Sequence, residues 1–147
     1  MNPLQYMFLG QALVGMVHGH TGLGNLLLVV SLCNIALVLT VSKNPSTLAK
    51  IIKLGHNIYL FGGRLNILLG FGLMMMGAYS PANITGYWWI ILSVLSWGGV
   101  EVVSKRMIKE DLEGVLEGLP PSQKMVLGFV LELIILIVIF ACMHMRT

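Results

Sequence analysis

Charge is what this chain has least of. Its 147 residues include nine Lys or Arg and six Asp or Glu, 10% in all, where a soluble domain carries about 25%. Residues 2–42 contain none of the four. So little charge excludes an ordinary soluble domain. The net charge is +3, and the basic residues gather in connectors, so they report topology and not nucleic-acid binding. Cysteine is almost missing too. Cys33 and Cys142 fall in apolar runs, which excludes a disulfide framework. No P-loop, dinucleotide fingerprint, nucleophile elbow or zinc-protease pattern occurs, so no catalytic activity is expected of the chain on its own. The start lacks a basic n-region, so a cleaved signal peptide is not expected.

Apolar side chains fill the space that charge leaves. They make up 56% of the chain, with a mean hydropathy of +0.86. The expected fold is all-α: a polytopic membrane four-helix bundle with short interfacial helices, one transmembrane domain over residues 1–147. Spans are drawn at about 21–42, 56–79, 87–105 and 125–144, each near the ~20 residues that cross the hydrocarbon. The charge-free run of residues 2–42 would reach ~60 Å as one helix, too long for one crossing. Residues 4–17 are therefore read as interfacial or re-entrant, with a Gly- and His-rich junction and Thr21 as helix cap. A single long helix projecting past the membrane is the alternative. Residues 45–54, with Asn44 as N-cap, Pro45 leading and Gly55 as stop, read as a helix on the membrane surface. Residues 107–117 read likewise, ended by Gly118, Pro120 and Pro121.

Orientation follows from the basic residues. Lys43, Lys50 and Lys53 lie in one connector, and Lys105, Arg106, Lys109 and Lys124 in another on the same side. The positive-inside rule puts both connectors in the cytoplasm and both termini outside, as in a multi-pass protein of a bacterial inner membrane. On this topology Asn34, Arg64, Glu101 and Glu132 fall at similar depth, one per span. An isolated charge there costs at least ~2.5–3.5 kcal/mol, so Arg64 is expected to pair with Glu101 or Glu132 inside the bundle. The second carboxyl is expected to be protonated. Either the layer fixes helix register, or it relays protons or contacts a cofactor. His56 reads as interfacial. Gly62, Gly63, Gly70, Gly72 and Gly77 read as a packing face.

The outer surface offers soft donors. Met16, His18 and His20 precede the first span, and Cys142, Met143, His144 and Met145 end the fourth. Imidazole, thioether and thiol suit copper, and two facing histidines suit haem b. His18 and His20 are two residues apart, ~200° around a helix, so the narrower pairing is His20 with His144. Interfacial histidines without a ligand are the other reading.

"HGHTGL" at the start of helix 1, a Gly-rich helix 2, a helix 3 ending "SKRM" and Glu132 on helix 4 together resemble a known layout. It is that of the four-helix CopD copper-resistance proteins and the small bacterial cytochrome b-like membrane proteins. More distantly it is similar to the HemJ-type protoporphyrinogen oxidases. The resemblance implies a haem-ligand role for His18 or His20. Helices 2 and 3 depart from it, carrying Arg64 and Glu101 and no deep histidine. Three functions are open. The first is a small subunit of a larger membrane complex, respiratory or otherwise electron-transferring, whose partners are lipid and other membrane subunits. The others are a haem- or copper-binding protein, and a proton or solute carrier using the Arg/Glu layer.

Overall fold

The computed structural model describes residues 3–40, 45–75 and 88–144, without the side chains of 3–6, 9, 45, 46, 89 and 142–144. These residues form four helical rods, and no strand occurs among them. Helix α1 is Pro3–Thr40, α2 is Pro45–Met75, α3 is Trp88–Val103, α4 is Glu110–Leu116 and α5 is Gln123–His144. A π-helical stretch, Ser104–Lys109, joins α3 to α4. Three segments are long and apolar enough to cross a membrane: Gly10–Thr40, Thr47–Met75 and Gln123–Ala141. Helix α3 alone has 16 residues.

The sequence-based boundaries differ from these in three places. Helix α1 runs unbroken through 38 residues, about 57 Å at 1.5 Å each. Thr21 is therefore mid-helix and not a cap. A break here would leave roughly four N–H and four C=O groups without partners at the new ends, and the run has few side chains to replace them. The four junction glycines, Gly15, Gly19, Gly22 and Gly24, cost less as helix, about 1 kcal/mol each. Helix α2 likewise passes through Gly55, so residues 45–54 are its first turns and not a separate surface helix. Residues 107–117 continue α3 along the bundle, because the backbone stays helical at Val103, Lys109 and Glu110.

The rod does stop where glycine and proline predict. Gly118 takes φ +98°. Its N–H bonds to the Val115 carbonyl at 3.1 Å, and the Leu119 N–H bonds to the Gly114 carbonyl at 3.0 Å. That is a Schellman end, which needs a residue without Cβ strain at this φ. Ser122 then caps α5, its hydroxyl accepting the Met125 N–H at 3.1 Å and donating to Asp111 of α4.

Helices α1 and α2 pack antiparallel along their length. The approach is close because the α2 glycines meet side chains. Met16 lies on Gly72 and His20 on Gly70, Leu27 lies on Gly62, and Asn34 lies on Gly55. Trp97 of α3 covers Gly63. Gly77 is outside the described residues. Two apolar clusters result. One gathers Val38, Ala49, Ile52, Ile108, Leu112, Val115, Met125 and Phe129. The other gathers Leu27, Tyr59, Trp97, Val100, Leu136 and Ile139. On each rod, the residue numbers between the two clusters fall on a short polar interval.

Candidate functional site

That interval is a buried polar layer. Asn34 comes from α1, His56 from α2, Ser104 from the π-helical stretch and Glu132 from α5, all 4% exposed or less. Each lies on the inward stripe of its helix, at the three- and four-residue steps that keep one face inside. On α2 the stripe is Ala49, Ile52, His56, Tyr59 and Gly63. On α5 it is Met125, Phe129, Glu132, Leu136 and Ile139.

His56 Nε2 and Ser104 Oγ share a hydrogen bond of 2.8 Å. On the other side of the ring, Nδ1 lies 3.6 Å from Glu132 Oε2, just beyond hydrogen-bond reach. Phe129 meets the imidazole edge-on, with centroids 5.5 Å apart. The Tyr59 hydroxyl donates to the Glu132 backbone carbonyl at 3.3 Å, which ties α2 to α5 beside the carboxyl. Ser31 Oγ, Asn34 Nδ2, His56 Nδ1 and Glu132 Oε1 are buried without a hydrogen-bond partner. An unsatisfied buried group costs about 1–3 kcal/mol, so the layer is not the cheapest way to fill this space.

The expected layer of Asn34, Arg64, Glu101 and Glu132 is thus half corrected. Asn34 and Glu132 belong to the buried layer. Arg64 does pair with Glu101, Nε donating to Oε1 at 2.7 Å and Nη2 to Oε2 at 2.8 Å. The pair lies on the outside, with side chains 59% and 35% exposed. Trp97 Nε1 adds a third donor to Glu101 at 3.3 Å. Helical phase explains the difference. Arg64 follows Gly63 by one residue and Glu101 follows Val100 by one, so both are turned off the inward stripe. His56, expected at the membrane interface, is buried within the bundle and hydrogen-bonded to Ser104. Its place on the Ile52–Tyr59 stripe was the sequence signal that would have found it.

A groove of about 330 Å³ opens beside the layer, lined by His56, Ser104, Lys53, Asn57, Arg64 and Lys109 among others. It runs between α2 and the Ser104–Leu116 stretch.

Of the outer-end candidates, Met16, His18 and His20 are described, and each has a different partner. His18 is exposed and its Nδ1 bonds the Val14 carbonyl of its own helix at 2.9 Å. His20 turns inward and its Nδ1 donates to the Asn66 carbonyl of α2 at 3.1 Å, an orientation that leaves Nε2 for another partner. Met16 spends its methyl on Gly72. The side chains of Cys142, Met143 and His144, and all of Met145, lie outside the described residues. The cleft beside His20, lined by Gly63, Gly70, Trp97 and Leu136, measures about 70 Å³. Ligand pockets run to roughly 300–1,000 Å³, and this cleft falls below that range. Among the described residues no three His, Cys, Asp or Glu gather to hold a metal. No family model, curated protein or solved structure matches the chain.

Proposed function

We infer that the chain is a four-span membrane protein serving as a small subunit of a larger membrane assembly, with the outer face of α2 and α3 turned to a partner. The observation that carries this is the Arg64–Glu101 pair. It sits on the outside of the bundle, with Arg64 on α2, a helix apolar enough to cross a bilayer, and 59% exposed. Ionisable residues within membranes almost always face protein or a water-filled space, because lipid cannot solvate them. A pair this exposed therefore calls for a polar covering beyond what the described residues supply, even though Arg64 borders a groove on one side.

Two further observations support the reading. The three candidate spans have only 28%, 22% and 33% of their windows buried, leaving most of their apolar surface for lipid or partners. The cluster of Val38, Ala49, Ile108 and Met125 draws together the lysine-bearing first turns of α2 and α5 and the basic Ser104–Lys109 stretch. By the positive-inside rule that end faces the cytoplasm and both termini face out. The third crossing is then α3 continued into its π-helical stretch. An electron-transfer assembly is the class to which the layout resemblance points.

The test uses the full chain in its own membrane. A photo-reactive side chain at Leu68, on the α2 face of Phe61 and Arg64, should cross-link to another polypeptide, and native mass spectrometry should find the chain in a complex. Lipid adducts alone, together with a monomeric mass, would overturn the inference.

A further inference from the structure

We propose that His56, Glu132 and Ser104 form a site for one exchangeable proton, reached from the groove between α2 and the Ser104–Leu116 stretch. The proposal concerns this chain by itself and does not depend on the assembly inferred above.

The geometry sets the proton count. Glu132 and His56 are 1% and 3% exposed, with the two side chains 3.6 Å apart. Nδ1 of His56 and Oε1 of Glu132 have no hydrogen-bond partner. A lone buried charge is costly, because the protein interior solvates it far less well than water does. With no proton the pair is a buried anion, and with two it is a buried cation. With one proton it is neutral in sum. That proton sits either on Glu132, facing the Nδ1 lone pair, or on Nδ1, facing a carboxylate. Once the two groups close from 3.6 Å to hydrogen-bond distance, exchange between them breaks one O–H bond as one N–H bond forms, and the pair titrates as a unit.

The surroundings leave that pair to itself. Helix α1 brings Ser31 and Asn34 but no charge, and α5 brings no other charged residue between Lys124 and Arg146. From α3 the nearest charge is Glu101, already held by Arg64 and Trp97. Lys53 of α2, Lys109 of the π-helical stretch and Glu113 of α4 stand along the groove. Among the described residues, neither member of the pair has another ion-pair contact.

The groove supplies the route. At about 330 Å³ it admits several waters at ~30 Å³ each. Ser104 lines it and bonds Nε2, and a hydroxyl both donates and accepts. A proton taken up at Nε2 lets Nδ1 give its own to Glu132, so the imidazole passes protons between groove and carboxyl. Ser104 also opens the π-helical stretch, and wide turns of this kind recur at functional sites. A pair serving structure alone would satisfy its atoms, whereas here each partner keeps one free.

The decisive measurement is pH-difference infrared spectroscopy on the full chain in lipid nanodiscs, with isotope-labelled Glu. A protonated-carboxyl band should rise and fall with bulk pH, together with an imidazole change. Glu132→Gln should remove the band, and Glu101→Gln should leave it. Ser104→Ala should slow the exchange at least tenfold. Nitrogen NMR of His56 in the unmodified protein gives a second readout that needs no variant. If no carboxyl band responds to pH in the unmodified chain, or the His56 nitrogens stay fixed while the carboxyl titrates, the proposal fails.

Discussion

Replacing Gly63 by Ala is the sharpest probe of how these helices interlock. A Cβ at Gly63 would run into Cη2, Cζ2 and Cζ3 of Trp97, and that ring is 6% exposed with little room to retreat. Overpacking of this kind costs about 1–3 kcal/mol. A displaced indole also gives up its bond to the Glu101 carboxylate, worth about 1.5–3 kcal/mol for a charged partner, and its tilted contact with Tyr59 at 5.6 Å. Against this, Ala gains up to ~1 kcal/mol in helix propensity. The net expectation is a loss on the order of 2–4 kcal/mol. Gly19 is the control, since nothing lies within 4 Å of a Cβ there, so Gly19→Ala should stabilise by about 0.5–1 kcal/mol. Reversible unfolding of both variants in mixed micelles measures the difference. If Gly63→Ala is as stable as Gly19→Ala, the described seating of α3 on α2 is wrong.

Three other expectations follow from single contacts. Gly55→Ala should displace Asn34 and cost about 1–3 kcal/mol, and adding Asn34→Ala should recover most of it in the same unfolding assay. Ser122→Ala removes the cap of α5 and should cost ~1 kcal/mol, with faster amide exchange confined to the first turn. Changing Arg64 and Glu101 to Leu, singly and together, should give a coupling of about 1 kcal/mol, modest because the pair is half exposed. Additive single effects would contradict the bidentate geometry.

Much of the fold is legible in the order of residues, and the particular misses share a cause. The rod ending at Gly118, the packing face of α2 glycines and the pairing of Arg64 with one of two carboxyls follow from local chemistry: a positive φ, a missing Cβ and opposite charges. The continuity of α1 and α2 does not. Gly15, Gly19, Gly22 and Gly55 lower helix propensity, and sequence alone does not show that Asn34 occupies the space Gly55 leaves. Depth counted along the sequence puts Arg64 and Glu101 beside Glu132. Angular phase puts His56 and Ser104 there.

What the sequence determined by itself is therefore composition-borne: apolar helices, the end where basic residues collect, and one charged pair. Which polar residues are buried together is a matter of helix rotation and register. Arg64 stands ~80° around α2 and ~12 Å along it from His56, and Glu101 stands ~60° and ~4.5 Å from Ser104, so rotation and axial register together decide which polar residues are buried. Only the packing of Leu27, Tyr59, Trp97 and Phe129 around their neighbours selects the angle, because each large ring fits one set of gaps. That selection placed His56 against Glu132 and turned the Arg64–Glu101 pair outward.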